Sequence, residues 1–156
     1  MQRALSLAEK GRGYVSPNPM VGCVVVSKEG DLIGEGFHER FGKEHAEVLA
    51  LRSVKNDSQL EGATVYVTLE PCSHHGKTPP CADLLASKPL ERVVVAMTDP
   101  TEKVNGKGLK RIRDEGIKVD EGLLEDEARK LNEAWIHHNE LGRPFVTLKI
   151  AQTADG

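Results

Sequence analysis

Apolar and polar positions change period along the chain in a way that separates helices from strands. Residues 3–10 carry Ala4, Leu7 and Ala8 on one face, the spacing of an amphipathic helix. Gly11 and Gly13 end it, and Ser16-Pro17-Asn18-Pro19 is a loop, since the prolines prevent helix continuation. Residues 21–26 are β-branched and nearly all apolar, which predicts a buried strand. Lys28-Glu29-Gly30-Asp31 is turn chemistry, so residues 32–37 are expected to return antiparallel as a hairpin. Helical spacing over 45–53 gives way to a third strand at 63–69. Pro79-Pro80 then opens a helix over 81–87. A fourth strand is expected at 92–97, a helix at 106–115 and a short strand at 117–119. Leu124, Ala128, Leu131, Trp135 and His138 form a stripe that predicts one long helix over 124–139. A last strand is expected at 145–150.

Alternating helices and strands predict an α/β fold, a three-layer α/β/α sandwich around a central mixed sheet. No internal repeat, low-complexity tract or interior linker divides the chain, so residues 1–144 read as one domain.

Composition narrows the partners. The chain has 156 residues, 38% apolar and 29% charged, with 4% aromatic, so the core must be aliphatic. A net charge of −3, with the positive charges scattered, disfavours nucleic acid. No apolar stretch approaches bilayer length and the start shows no apolar signal segment, so no membrane partner is expected. Three cysteines make an odd set without a disulfide framework, which points to a reducing cytoplasm.

The chemistry is concentrated in two runs. His45-Ala46-Glu47 starts a helix, Cys72 follows the third strand and Cys81 opens the next helix. One imidazole and two thiolates supply three ligands to Zn²⁺ and keep a fourth position for water, a catalytic rather than a structural pattern. Zinc lowers the pKa of bound water from about 16 to near 7. An unligated Glu47 beside it can take that proton and pass it on. On a regular helix Glu47 would point well away from His45, so convergence requires a first-turn geometry. H-x-E followed by P-C-x-x-C is the signature of zinc deaminases. This chain departs from it by placing eight residues, not two, between Cys72 and Cys81. Cys23 reads as a core filler, and His137 and His138 as helix-packing or solvent-facing residues.

The run PCSHHGKTPPC with HAE upstream resembles the deaminase domain of RibD-type riboflavin-biosynthesis proteins. The likeness extends to Pro17-Asn18-Pro19-Met20-Val21-Gly22, Thr68-Leu69-Glu70-Pro71-Cys72, Ala96-Met97-Thr98-Asp99-Pro100 and Val146-Thr147-Leu148-Lys149. It implies a cytidine deaminase-like fold, and residues 145–156 as a last strand and junction toward an absent reductase domain. The implied reaction removes the 2-amine of a diaminopyrimidinone bearing a ribosyl phosphate, giving the uracil-type product and ammonia. By the same resemblance, Asn18, His38, His74 and Lys77 contact the pyrimidine or flank the centre, Asp99 holds the ribose, and Lys149 meets the phosphate. A homo-oligomer, dimer or tetramer, is also implied. Thr101-Glu102 stand where the family carries Asn-Pro, which alters the local phosphate contact. Two other readings compete: a zinc deaminase of free bases, nucleosides or tRNA, and a zinc-stabilised binding module without catalysis.

Overall fold

The computed structural model describes residues 1–74, 79–101, 104–153 and 155–156. Five strands form one mixed sheet: β1 (Gly22–Val26), β2 (Leu32–Phe37), β3 (Ala63–Val67), β4 (Leu90–Val95) and β5 (Lys118–Glu121), in the order β2-β1-β3-β4-β5. The hairpin is as expected, with Gly22 opposite Phe37 and Val24 opposite Glu35. β1 also runs antiparallel to β3, whereas β3, β4 and β5 are parallel, joined by helical crossovers.

The helices α2 (Ala46–Arg52), α3 (Cys81–Ala86) and α4 (Lys107–Asp114) cover one face, burying Val25, Val65, Val67, Val93 and Val95 with Ala50, Leu85 and Ile112. α1 (Gln2–Glu9) covers the other face, where Ala4 and Leu7 meet Val24. α5 (Glu125–Leu131) and α6 (Glu133–Leu141) add a smaller cluster of Leu69, Ala96, Met97, Ala128 and Ile136. This is the three-layer α/β/α arrangement, with an aliphatic core.

β2 contributes no bulk where α2 crosses it. A Cβ on Gly36 would stand 2.6 Å from the Ala50 nitrogen, and one on Gly34 would stand 2.4 Å from the Ala50 oxygen. The two glycines thus let α2 lie directly on the strand, which brings its first turn to the sheet edge.

Two expectations are corrected. The long helix over 124–139 is two helices, broken at the buried Asn132, whose backbone leaves the helical region at φ −107°, ψ 20°. The stripe continues through the break, so periodicity alone does not reveal it. Residues 145–150 form no strand. Val146, Leu148 and Ile150 alternate as a strand would, but are 82%, 81% and 68% exposed, with no neighbouring strand to complete their hydrogen bonds among the described residues. A 3-10 turn at Asp57–Leu60 was not foreseen; Asn56 Oδ1 accepts from Ser58 N at its start. Among the described residues, no helix is long and apolar enough to cross a membrane.

The sheet directions decide where chemistry gathers. The carboxyl ends of β2, β3 and β4 and the amino end of β1 all open on one edge. Hydrogen bonds beyond the strands tighten it: His38 N donates to Val21 O, Thr68 N to Gly22 O and Glu70 N to Met97 O.

Candidate active site

His45 is the residue before α2, extended at φ −75°, ψ 160°, and Ala46 starts the helix. This answers the geometric objection to His45 and Glu47. The imidazole hangs from extended chain while the carboxylate projects from the first helical turn, and both line one cavity of about 660 Å³. Cys72 and Cys81 are brought together by helix capping. Cys72 O accepts from Ala82 N at 3.1 Å and Cys72 Sγ accepts from Cys81 N at 3.3 Å, using two free N–H groups of α3.

His45 Nδ1 lies 3.3 Å from Cys81 Sγ and 3.6 Å from Cys72 Sγ, and the three donor atoms lie within 4.8 Å of one another. A tetrahedral ion bonded to nitrogen at about 2.0–2.1 Å and to sulfur at about 2.3 Å spaces such donors about 3.6 Å apart. The donor set therefore fits zinc. Hydrogen bonding from Cys81 draws the Cys72 thiol down to about 4, helped by His45, whereas the hydrogen bond with Cys72 and burial push Cys81 up. His45 is raised, first by its hydrogen bond with Cys72. Loss of a proton is thus favoured at one sulfur of the pair, which suits a cation.

Glu47 is 3% exposed, and burial pushes its carboxyl up to about 7. Its Oε2 is buried without a hydrogen-bond partner, an isolated case among the described residues. Leaving such an acceptor unmet costs about 1–3 kcal/mol, a cost characteristic of a group kept for use rather than for stability. Cys23 is fully buried, as expected of a core residue.

The remaining expected residues separate. His38 is buried, and its burial lowers its pKa. A neutral ring donating from Nδ1 to Glu44 O, at 2.9 Å, leaves Nε2 as an acceptor. Asn18 Nδ2 then donates to Nε2 at 3.1 Å, which turns Asn18 Oδ1 away from the ring. Asn18, His38, His74 and Asp99 all line the cavity. Asp99 Oδ1 accepts from Thr101 N and from Thr101 Oγ1, so Thr101 is engaged with its neighbour. Lys77 and Glu102 lie outside the described residues. Lys149 stands on the exposed tail and is not brought to the cavity wall.

Three contributors were missed in the sequence. Trp135 and Asn139 of α6 also line the cavity. Glu70, 3% exposed, ties the Cys72 loop to α4: Oε2 accepts from Asp99 N and Gly106 N, and Oε1 from Gly108 N and Leu109 N. Gly108 permits this approach, since a Cβ there would stand 2.1 Å from Pro71 O. An acid wedged between an apolar strand and Pro71-Cys72 is the signal that marks it. Glu70→Gln replaces one accepting oxygen with a donor facing N–H groups, and we expect about 2–4 kcal/mol of destabilisation in urea denaturation. A change below about 0.5 kcal/mol would show that these bonds do not bear on the fold.

The profile described as the cytidine and deoxycytidylate deaminase zinc-binding region matches residues 1–97, which include His45, Glu47, Cys72 and Cys81. The chain is 53% identical over its whole length to the riboflavin biosynthesis protein RibD of Aquifex aeolicus, covering 43% of that protein. The chain belongs to the RibD family, in its zinc-binding deaminase region. RibD of Escherichia coli is 49% identical over the whole chain, which covers 42% of it. A crystal structure from Thermotoga maritima, of a diaminohydroxyphosphoribosylaminopyrimidine deaminase/5-amino-6-(5-phosphoribosylamino)uracil reductase, superposes with a TM-score of 0.93 at 51% identity. The match covers 100% of this chain and 44% of that one. The chain thus spans less than half the length of these RibD relatives.

Proposed function

We propose that this chain catalyses hydrolytic deamination of 2,5-diamino-6-(5-phosphoribosylamino)pyrimidin-4-one to 5-amino-6-(5-phosphoribosylamino)uracil and ammonia, a step of riboflavin biosynthesis. The observation that carries the reading is the unpartnered, buried Glu47 oxygen beside a three-donor His/Cys/Cys cluster in a cavity roomy enough for a substituted ring. Whole-length identity to RibD proteins supports the choice of substrate.

His45, Cys72 and Cys81 would hold zinc, which would supply the Lewis acidity that lowers the pKa of water. Glu47 takes the proton from the attacking water and delivers it to the ring nitrogen next to the 2-carbon. It then relays the proton of the newly added hydroxyl to the 2-amine, and the carbon–nitrogen bond breaks to release ammonia and leave a ring carbonyl. Val21 and Leu69 pack the apolar side of the ring, and Asn18 Oδ1 offers an acceptor to a ring substituent bearing N–H. His38 holds that carboxamide and His74 meets the polar edge, while the resemblance to RibD proteins assigns Lys77 to the same substrate. Asp99, on the cavity wall, takes the ribose.

A closed structural site would require a fourth protein ligand. Among the described residues the cluster holds three, and Glu47 has no part in such a site. Unpaired Cys23, Cys72 and Cys81 suit the cytoplasm, and a dimer or tetramer is the assembly we infer from the resemblance. The test is to incubate the purified, zinc-loaded chain separately with the diaminopyrimidine phosphoribosyl compound, cytidine and guanine, measuring ammonia release. We expect turnover of the first alone; turnover confined to cytidine or guanine would overturn the substrate assignment.

A further inference from the structure

The stripe of α5 and α6 is interrupted for a reason that bears on the cavity. Asn132, 3% exposed, sits between the two helices and turns its side chain onto a residue 112 positions earlier. Its Oδ1 accepts from Met20 N at 2.8 Å, and its Nδ2 donates to Met20 O at 2.9 Å. The carboxamide thus pairs with both backbone polar groups of one residue, as a neighbouring strand would. Met20 lies two residues beyond Asn18, whose own carboxamide is fixed by His38. Three residues beyond Asn132, Trp135 lines the cavity together with Asn18.

We propose that Asn132 is a positioning residue for substrate selection: by clamping Met20 it sets the distance between the Asn18 acceptor and the Trp135 wall. The consequence is that α6, beyond the residues matched by the zinc-binding profile, is part of the selecting apparatus. Asn132 touches neither the metal donors nor Glu47, so it acts on how the ring is held and leaves proton transfer intact. The clamp needs one donor and one acceptor in a fixed plane. A carboxylate in its place would still accept from Met20 N but would confront Met20 O without a proton, and a methyl group would make neither bond. The identity of the ring held this way rests on the function proposed above.

The test uses the zinc-loaded chain with Asn132→Ala and Asn132→Asp. We expect KM for the diaminopyrimidine to rise about tenfold or more while kcat stays within about threefold, the mark of lost binding rather than lost chemistry. Zinc content is expected to stay at the parent level, and the Met20 amide to exchange its hydrogen at least about tenfold faster. Leu60→Ala, which removes a buried side chain outside the cavity lining, serves as a control. It is expected to lower the melting temperature with KM unchanged. Unchanged Met20 exchange in both variants would overturn the clamp. Faster exchange with unchanged KM would overturn its role in selection. If the parent chain fails to turn over the diaminopyrimidine, the substrate assignment falls by itself. The clamp is then judged on Met20 exchange and on KM for whichever of cytidine or guanine is turned over.

Discussion

Glu47→Gln is expected to keep its full zinc content and its fold while turnover falls by about 10³-fold. Gln has the same shape and reaches the same place from the first turn of α2, but its amide cannot accept a proton at neutral pH. The expected loss is large because the same carboxylate serves both the attacking water and the departing amine. Stability should move the other way. The carboxylate is buried, and Oε2 has no partner. Removing its charge relieves a desolvation cost, so the melting temperature is expected to stay level or rise by a few degrees. Metal analysis, calorimetry and a turnover assay on one preparation settle the matter. Activity within about tenfold of the parent would show that another group moves the proton.

Cys81→Ala is expected to lose zinc, activity and stability together, and Cys72→Ala to do the same. Each sulfur belongs to a three-donor set, so deleting one leaves the cation two protein ligands. The folded chain then loses the linkage free energy of its ligand. For an ion present at about 1,000 times its dissociation constant this is about 4 kcal/mol. At about 2–4 °C per kcal/mol for a chain of this size, the melting temperature drops by roughly 10 °C. Chelation of the parent protein should reproduce the same drop, and returning zinc should reverse it in the parent but not in the variants. Cys23→Ala is the contrast: its sulfur is buried among Val25 and Val67, so zinc should remain. A Cys81→Ala protein that still carries its full zinc would remove Cys81 from the ligand set.

Much of this was legible because the signals are local. The hairpin announced itself through turn residues between two apolar runs, and β1 through its continuous β-branched stretch. The metal donors could be picked out by residue type, since cysteines are few: Cys81 starts a helix and Cys72 follows a strand, whereas Cys23 lies within one. What could not be read was whatever depends on a distant backbone group. Glu70 and Asn132 bond mainly to main-chain N–H and C=O groups, which leave no mark in the sequence of their partners. Asn132 therefore looked like one more polar position on a continuous helix. Residues 145–150 misled for the opposite reason: their alternation is strand-like, but a pattern states a preference and cannot supply a neighbour. The phosphate contact falls between these cases, since Thr101 turns its hydroxyl to Asp99.

The sheet directions carry a practical corollary. Because the chemistry gathers where β2, β3 and β4 end, the Ser27–Asp31 turn and the approaches to Ala63 and Leu90 lie at the opposite pole. The tip at Glu29-Gly30 is thus the natural handle of the molecule, where a fluorophore, an affinity peptide or a surface anchor can be attached a full strand length from the reacting atoms.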